Sequence, residues 1–142
     1  MPNSFPPVTN IERERLMDAA RRAATDAYAP YSHFPVGAAV LTEDGTIVAG
    51  FNIENASYGL TVCGERVATF TAIGAGHSTV RAVAISTPRS PGATPCGACR
   101  QVLNEFKPGD GDLVVLTDGR DGIEETTLAA LLPSAFGPRD LD

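Results

Sequence analysis

Basic residues are scarce in this sequence. It contains 11 lysines and arginines against 17 aspartates and glutamates, which gives a formal net charge of -6. Proteins that bind nucleic acids derive most of their affinity from basic side chains that neutralise phosphates. We therefore expect no nucleic-acid partner.

Long apolar runs are absent as well. A helix that crosses a bilayer needs about 18 to 20 consecutive apolar residues, and no segment of the chain approaches that length. The segment from Met1 to Pro7 has neither the basic start nor the apolar centre of a secretory signal. These absences predict a cytoplasmic protein without a membrane partner.

The chain contains only 3 cysteines, which is an odd number. An odd number excludes a complete set of internal disulfides. A reducing compartment would keep all of these thiols available as metal ligands.

What the sequence does contain is enough apolar material for one core. Its 142 residues are 43% hydrophobic, without an internal repeat or a low-complexity segment. This length and composition are typical of a single domain. Three prolines within residues 1–8 predict a flexible N-terminal arm, and we expect residues 9–142 to form the domain.

Periodicity and turn signals predict an α/β fold. Thr9 and Glu12 have the spacing of a capping box, and an apolar stripe then predicts a helix over 9–27. Two β-prone runs, 36–42 and 46–51, flank a Gly-containing turn and predict an antiparallel hairpin. Strands and helices alternate further along, which favours parallel βαβ units, with helices on both faces of a mixed sheet. The remaining predicted elements are a loop at 52–60, helices at 62–73, 96–106 and 128–132, and strands at 80–87, 113–117 and near 123.

All the cysteines lie in two short motifs. Cys63 is followed two residues later by Glu65, and Cys96 and Cys99 form a Cys-x-x-Cys pair directly after Pro95. Catalytic zinc sites keep three protein ligands, so that the fourth position can hold water or substrate. An acid beside such a site can move protons to and from that water. We therefore predict a catalytic zinc held by the three cysteines, with Glu65 as the proton carrier.

The predicted site needs a compensating positive charge. Both motifs fall at predicted helix starts, where free N–H groups and the helix dipole favour thiolates. Three thiolates leave the zinc site with net negative charge, which makes the metal a weaker Lewis acid. Arg66 follows Glu65 directly, and its guanidinium could withdraw charge by donating hydrogen bonds to sulfur. We expect Arg66 to supply this compensation.

Two other interpretations remain open for the same residues. A Cys-x-x-Cys pair is also typical of thioredoxin-like redox modules, and a zinc site can be non-catalytic and structural. Glu65 argues against both, because neither needs an acid beside the cysteines. Taken alone, however, Glu65 could equally be a first-turn acid that stabilises a helix N-terminus.

Four segments, 29–38, 52–60, 63–66 and 95–101, occur in the order seen in one enzyme family. The last two contain a Cys-x-Glu segment followed by Pro-Cys-x-x-Cys, the pattern of zinc deaminases. Over nearly its full length the chain resembles the homotetrameric zinc-dependent cytidine deaminases. The resemblance implies a three-layer α/β domain with a five-stranded mixed sheet, one zinc per subunit and a homotetramer whose sites are shared between subunits.

The resemblance also implies how a nucleoside would be held. Asn52 and Glu54 match the pair that hydrogen-bonds the ribose hydroxyls, and Phe34 matches an aromatic residue packed near the base. The Gly64 N–H would hold the pyrimidine O2, and the Thr94 carbonyl would accept from the 4-amino group. Many relatives have Ala in place of Gly64, a difference that should not disturb the N–H contact.

Two further roles follow from the same resemblance. Glu65 would take a proton from the attacking water and deliver it to N3 and then to the leaving amine. Phe136 lies in a C-terminal segment that resembles the family segment reaching into a neighbouring subunit's site.

The implied reaction is the hydrolytic deamination of cytidine and 2′-deoxycytidine to uridine and 2′-deoxyuridine, with release of ammonia, as in pyrimidine salvage. An aminonucleoside-antibiotic deaminase of the blasticidin type would share the zinc core and is the nearest alternative. The pair of Asn52 and Glu54 favours a ribose. A non-catalytic zinc or redox module is the alternative from a different class.

Overall fold

The first helix, α1 (Asn10–Ala24), begins at the capping box that the sequence predicts. The structure is a computed structural model that describes residues 5–109 and 111–142. The Glu12 N–H donates to Thr9 Oγ1 at 3.1 Å, and the Thr9 N–H donates to Glu12 Oε1 at 3.0 Å. These two bonds satisfy N–H groups that a helix start otherwise leaves unpaired.

Helix α1 ends earlier than predicted. The Thr25 hydroxyl donates to the Arg22 carbonyl at 2.6 Å, which occupies a carbonyl of the last turn. The backbone of Tyr28 then pairs with another part of the chain, because its N–H donates to the Asn52 carbonyl and its carbonyl accepts from the Glu54 N–H. This long-range pairing directs the chain away from the helix toward the segment after β2.

One mixed sheet of five strands forms the centre of the molecule, as predicted. A short 3-10 turn at Tyr58–Leu60 lies within the segment predicted as a loop. Among the described residues, no helix is both long and apolar enough to cross a bilayer. The elements after α1 are β1 (Gly37–Thr42), β2 (Ile47–Phe51), α2 (Gly64–Gly74), β3 (Val80–Ser86), α3 (Gly97–Phe106), β4 (Val114–Gly119), β5 (Gly122–Thr127) and α4 (Leu128–Leu131).

Strand pairing confirms part of the prediction. β1 runs antiparallel to β2 across the predicted hairpin, and it is also antiparallel to β3. β3 and β4 are parallel, but β5 is antiparallel to β4. The expectation of parallel pairing is therefore wrong for β5. Only Arg120 and Asp121 separate the two strands, and a parallel connection needs a crossover of a dozen or more residues.

Helices cover both faces of the sheet, so the predicted three-layer architecture is confirmed. Successive residues of a strand point to opposite faces. In β1, Ala38 and Val40 belong to the core shared with α2, α3 and α4, whereas Ala39 and Leu41 belong to the core under α1. In the strand order β2-β1-β3-β4-β5, β1 and β3 lie inside the sheet and are buried along their whole length. Burial of polar groups without partners is costly, which favours a polar site at the ends of these strands.

The predicted N-terminal arm is described only in part, because residues 1–4 lie outside the described residues. The Pro6 carbonyl accepts a hydrogen bond from Arg81 Nη2 at 2.8 Å, and the Phe5 ring centre lies 5.7 Å from the guanidinium carbon of the same arginine. Val8 is buried in the core under α1. The described part of the arm therefore packs against β3 and α1.

Candidate active site

Both cysteine motifs lie at helix N-termini, as predicted. Cys63 is the N-cap of α2, and Cys96 is the N-cap of α3, with Cys99 in the first turn of that helix. The two helices pack against each other, which brings the sulfur atoms together. The Cys63 and Cys96 Sγ atoms are 3.9 Å apart, the Cys96 and Cys99 Sγ atoms are 3.4 Å apart, and all three lie within 4.8 Å of one another.

This spacing fits a zinc ion. Thiolate ligands about 2.3 Å from a tetrahedral zinc lie about 3.8 Å apart, close to the separations in the cluster. Three sulfurs occupy three positions of the tetrahedron and leave the fourth for water or substrate. Cys99 is buried, whereas Cys96 is exposed, so the cluster is accessible from one side.

Arg66 lies where the sequence predicts a compensating charge. Its Nη2 donates to Cys63 Sγ at 3.4 Å. The pKa of the Cys63 thiol is lowered to about 5, first because the Cys99 thiol donates a hydrogen bond to its sulfur and then because Arg66 does, while burial opposes the change. The same hydrogen bond with Cys63, followed by burial, raises the pKa of the Cys99 thiol. Arg66 therefore favours the thiolate form of Cys63, which is the form that binds zinc.

Glu65 is buried in the first turn of α2, with 5% of its surface exposed. Burial raises the pKa of its carboxyl group to about 7, and the charge on Cys63 acts in the same direction. General acid and base catalysis is most effective when the pKa lies near the working pH. At neutral pH, Glu65 can therefore both accept and donate a proton.

Three backbone segments meet beside the cysteine cluster. Ile53 and Val62 exchange hydrogen bonds, each N–H donating to the other's carbonyl at 3.0 Å. The Asn52 N–H donates to the Val36 carbonyl at 3.1 Å. A Cβ atom on Gly64 would lie 3.1 Å from that same carbonyl oxygen, which is a tight contact. Because Gly64 has no side chain, the first turn of α2 can pack closely against the neighbouring segments.

Asn52, a predicted ribose contact, is buried and uses its side chain to hold the segment that carries Phe34. Its Nδ2 donates to the Phe34 carbonyl at 2.9 Å, and its Oδ1 accepts from the Val36 N–H at 3.0 Å. Phe34 itself is half-buried. The structure therefore brings the predicted sugar-side and base-side residues into direct contact.

Glu54, the second predicted ribose contact, also binds this segment. Its Oε1 accepts from the N–H groups of Tyr31 at 3.0 Å and Ser32 at 3.1 Å, and its Oε2 accepts from the Ser32 hydroxyl. These hydrogen bonds, with that of the Ser32 hydroxyl first, lower the pKa of the Glu54 carboxyl group. Sequence reasoning missed Ser32, because a hydrogen bond between distant loop residues leaves no periodic pattern.

Arg100 shapes the segment that contains Thr94. Its Nε donates to the Pro95 carbonyl at 2.6 Å, and its Nη2 donates to Thr94 Oγ1 at 3.1 Å. Its Nη1 donates to the Leu131 carbonyl at 2.8 Å, which connects α3 to the end of α4. Sequence reasoning also missed this role, although Arg100 lies directly after Cys99 in one of the four segments that carry the family resemblance.

Hydrogen bonds to its backbone hold Phe136 against α3. Its carbonyl accepts from Gln101 Nε2 at 2.9 Å and from Asn104 Nδ2 at 3.2 Å, both on α3. Its side chain is 60% exposed on the single subunit. An exposed phenylalanine whose backbone is fixed to a helix is suited to contact another molecule.

Residues 10–117 match the family model described as the cytidine and deoxycytidylate deaminase zinc-binding region. The chain is 49% identical over 131 residues to the cytidine deaminase of Sporosarcina psychrophila, covering 92% of this chain and 96% of that protein. It is 39% identical over 132 residues to the cytidine deaminase of Mycobacterium tuberculosis, covering 93% and 95%.

Solved structures show the same fold. The crystal structure of cytidine deaminase from Burkholderia pseudomallei superposes with a TM-score of 0.77 at 43% identity, over 87% of this chain and 98% of that one. Its counterpart from Mycobacterium tuberculosis also gives a TM-score of 0.77, at 40% identity, over 89% and 98%.

Proposed function

This chain belongs to the cytidine and deoxycytidylate deaminase family, and we propose that it hydrolyses cytidine and 2′-deoxycytidine to uridine and 2′-deoxyuridine with release of ammonia. One observation carries the reaction class: buried Glu65 lies next to Cys63 in a cluster of three cysteines that leaves one zinc position open. A structural zinc site has no need of such a carboxyl group. The resemblance to named cytidine deaminases supports the substrate.

Side chains of the protein carry out the proton transfers and balance the charge of the site. Zinc, when held by Cys63, Cys96 and Cys99, supplies Lewis-acid activation of water. Glu65 accepts one proton from the attacking water and delivers it to N3 of the pyrimidine. It then takes the second proton from the new hydroxyl group on C4 and passes it to the amine, so that the C4 carbonyl forms as the C4–N bond breaks and ammonia leaves. Arg66 offsets the negative charge of the sulfurs through its hydrogen bond to Cys63.

Five residues are proposed to hold the nucleoside. Asn52 and Glu54 bind the ribose hydroxyls, and Phe34 packs near the base. The Gly64 N–H binds the pyrimidine O2, and the Thr94 carbonyl accepts from the 4-amino group. The close packing of the backbone around Gly64 and Asn52 supports this arrangement.

The test is an absorbance assay on the purified protein. Cytidine, 2′-deoxycytidine and a blasticidin-type aminonucleoside are compared as substrates, each with and without a zinc chelator. We expect loss of cytidine absorbance, abolished by the chelator and faster than loss of the antibiotic. Turnover of the antibiotic alone would instead establish the alternative enzyme, and no turnover of any substrate would contradict the proposed activity.

Arg66→Ala is expected to keep the fold and to lower turnover by about 10- to 100-fold, as is typical when a partner of a metal ligand is lost. The removed positive charge leaves the site more negative, which raises the pKa of nearby acids. The pH–rate profile should therefore move to higher pH. Arg66→Lys is the matched control, since it keeps the charge and should show a smaller shift. An unchanged profile in Arg66→Ala would contradict the role of Arg66.

We further propose a homotetramer of dihedral symmetry in which Phe136 reaches a neighbouring subunit's site. The exposed ring of Phe136 supports this, because it is accessible to a second subunit and its backbone is fixed to α3. Phe136→Ala should weaken substrate binding about tenfold without loss of zinc. The control is Leu141→Ala, which removes another exposed apolar side chain near the C-terminus and should leave binding unchanged. Light scattering should give about four times the 14.8 kDa of one chain. A fully active monomer would refute the shared site.

The domain that acts, its cellular compartment and its class of substrate are also part of the proposed function. We infer that residues 9–142 act as one domain on free nucleosides in the cytoplasm, as part of pyrimidine salvage. A reducing compartment supports this assignment, because the cysteine ligands must stay reduced. The acidic charge balance supports a small-molecule substrate over a nucleic acid.

A further inference from the structure

The backbone of Phe34 is held on both sides by the pair proposed to bind the ribose. On one side, the Phe34 carbonyl accepts from Asn52 Nδ2 at 2.9 Å. On the other, the Phe34 N–H donates to Ser32 Oγ at 3.0 Å, and the Ser32 hydroxyl donates in turn to Glu54 Oε2. Ser32 thus connects the sugar-side carboxylate to the base-side aromatic residue.

Glu54 is the main acceptor for this segment. One carboxylate oxygen accepts the N–H groups of Tyr31 and Ser32, and the other accepts the Ser32 hydroxyl. Hydrogen bonds to a charged group are stronger than those between neutral groups. These contacts therefore contribute to the shape of the segment in the free protein, before any substrate is bound.

Besides these contacts, two isolated backbone hydrogen bonds hold the segment: the His33 N–H donates to the Ala29 carbonyl at 3.0 Å, and the Val36 carbonyl accepts from the Asn52 N–H at 3.1 Å. Residues 31–36 form neither helix nor strand, so no backbone ladder fixes them. His33 adopts a left-handed conformation with φ of 55°, which a non-glycine residue adopts at a cost. Its carbonyl accepts a hydrogen bond from Arg89. Side-chain hydrogen bonds thus hold a strained turn immediately before Phe34.

We propose that Ser32 is a positioning residue for Phe34 and that Asn52 and Glu54 orient the base-side wall of the pocket in addition to binding the sugar. This inference rests on the proposed deaminase function. It follows that the hydrogen bonds around Ser32 matter for base binding even when a ligand offers no ribose hydroxyl to Glu54.

The test uses Ser32→Ala, an exposed position where the change should not impair folding. The kinetic constants for cytidine are measured together with the inhibition constant of 2′,3′-dideoxycytidine, which lacks both ribose hydroxyls. We expect both the KM and the inhibition constant to rise about five- to tenfold, since one charge-assisted hydrogen bond is lost. The kcat should change by less than about twofold, because Glu65 and the cysteines are untouched.

Two matched variants complete the design. Ser32→Thr retains a hydroxyl and should restore the KM toward that of the unmodified protein. Ser90→Ala removes another exposed serine hydroxyl and should leave every constant unchanged. If Ser32 had only a structural role, Ser32→Ala would lower the melting temperature without a selective effect on KM, and Ser32→Thr would not restore the KM.

The outcomes distinguish the positioning role of Ser32 from the proposed deaminase function. If the unmodified protein does not deaminate cytidine, the proposed function fails. If it does and Ser32→Ala leaves both constants unchanged, the positioning role alone is overturned. A rise in the KM for cytidine without a rise in the inhibition constant of 2′,3′-dideoxycytidine would also overturn the positioning role. Ser32 would then act only through the sugar contact of Glu54.

Discussion

Glu65→Gln is expected to keep the fold and the zinc while losing turnover by more than about 10⁴-fold. General acid and base catalysis contributes about 10²- to 10⁴-fold for one proton transfer, and Glu65 is proposed to serve several. The amide has nearly the shape of the carboxyl group but cannot carry a proton. Because Glu65 is buried with a raised pKa, a neutral side chain at this position should fold without penalty.

The measurements are single-turnover rates, zinc content and thermal unfolding of Glu65→Gln beside the unmodified protein. Glu65→Asp is a useful companion, since it retains a carboxyl group but moves it away from its site, and it should lose less activity than Glu65→Gln. Near-normal kcat in the glutamine variant would remove Glu65 from the mechanism. Loss of zinc in that variant would show that the carboxyl group acts on the metal instead.

Removal of any one cysteine is expected to abolish activity and to lower both zinc content and stability. The purified protein should contain one zinc per chain, as three convergent sulfurs imply. Binding free energy for a zinc site is coupled to folding, because the assembled ligands exist only in the folded protein. Cys99→Ala should be the most destabilising of the three changes, since Cys99 is fully buried and its loss also leaves a cavity.

Elemental analysis and thermal unfolding check this prediction. Cys63→His is the matched variant for Cys63→Ala, because imidazole is also a zinc ligand. The histidine variant should retain more zinc and a higher melting temperature than the alanine variant. Full activity of metal-free protein would exclude the zinc mechanism altogether.

Several features were predictable because their signals are local in the chain. The Thr9 and Glu12 capping box is confirmed, since its two hydrogen bonds span only three residues. The helix starts at Cys63 and Cys96 are confirmed for a similar reason. The proximity of Arg66 to Cys63 follows from their spacing within one turn at the start of α2. Each of these features depends on neighbours within a turn.

Other features were missed or wrong because their causes are distant in the chain. The end of α1 depends on the pairing of Tyr28 with the segment after β2. The direction of β5 is an exception: its cause, a connection of only two residues to β4, is local, but the alternation of elements alone does not reveal it. The hydrogen bond between Ser32 and Glu54 joins loop positions 22 residues apart. No periodic pattern records such contacts.

By itself, the sequence determined the chemistry available to this protein: three cysteines in two short motifs, an acid two residues from the first, and a family pattern around them. Residue type and short spacing suffice for this, because ligand identity and helix capping are local properties. Tertiary structure alone decided the sulfur separations, the burial that raises the pKa of Glu65, and the joining of Phe34 to Asn52 and Glu54. These depend on how α2, α3 and the segments beside them pack, and packing is a property of the whole fold.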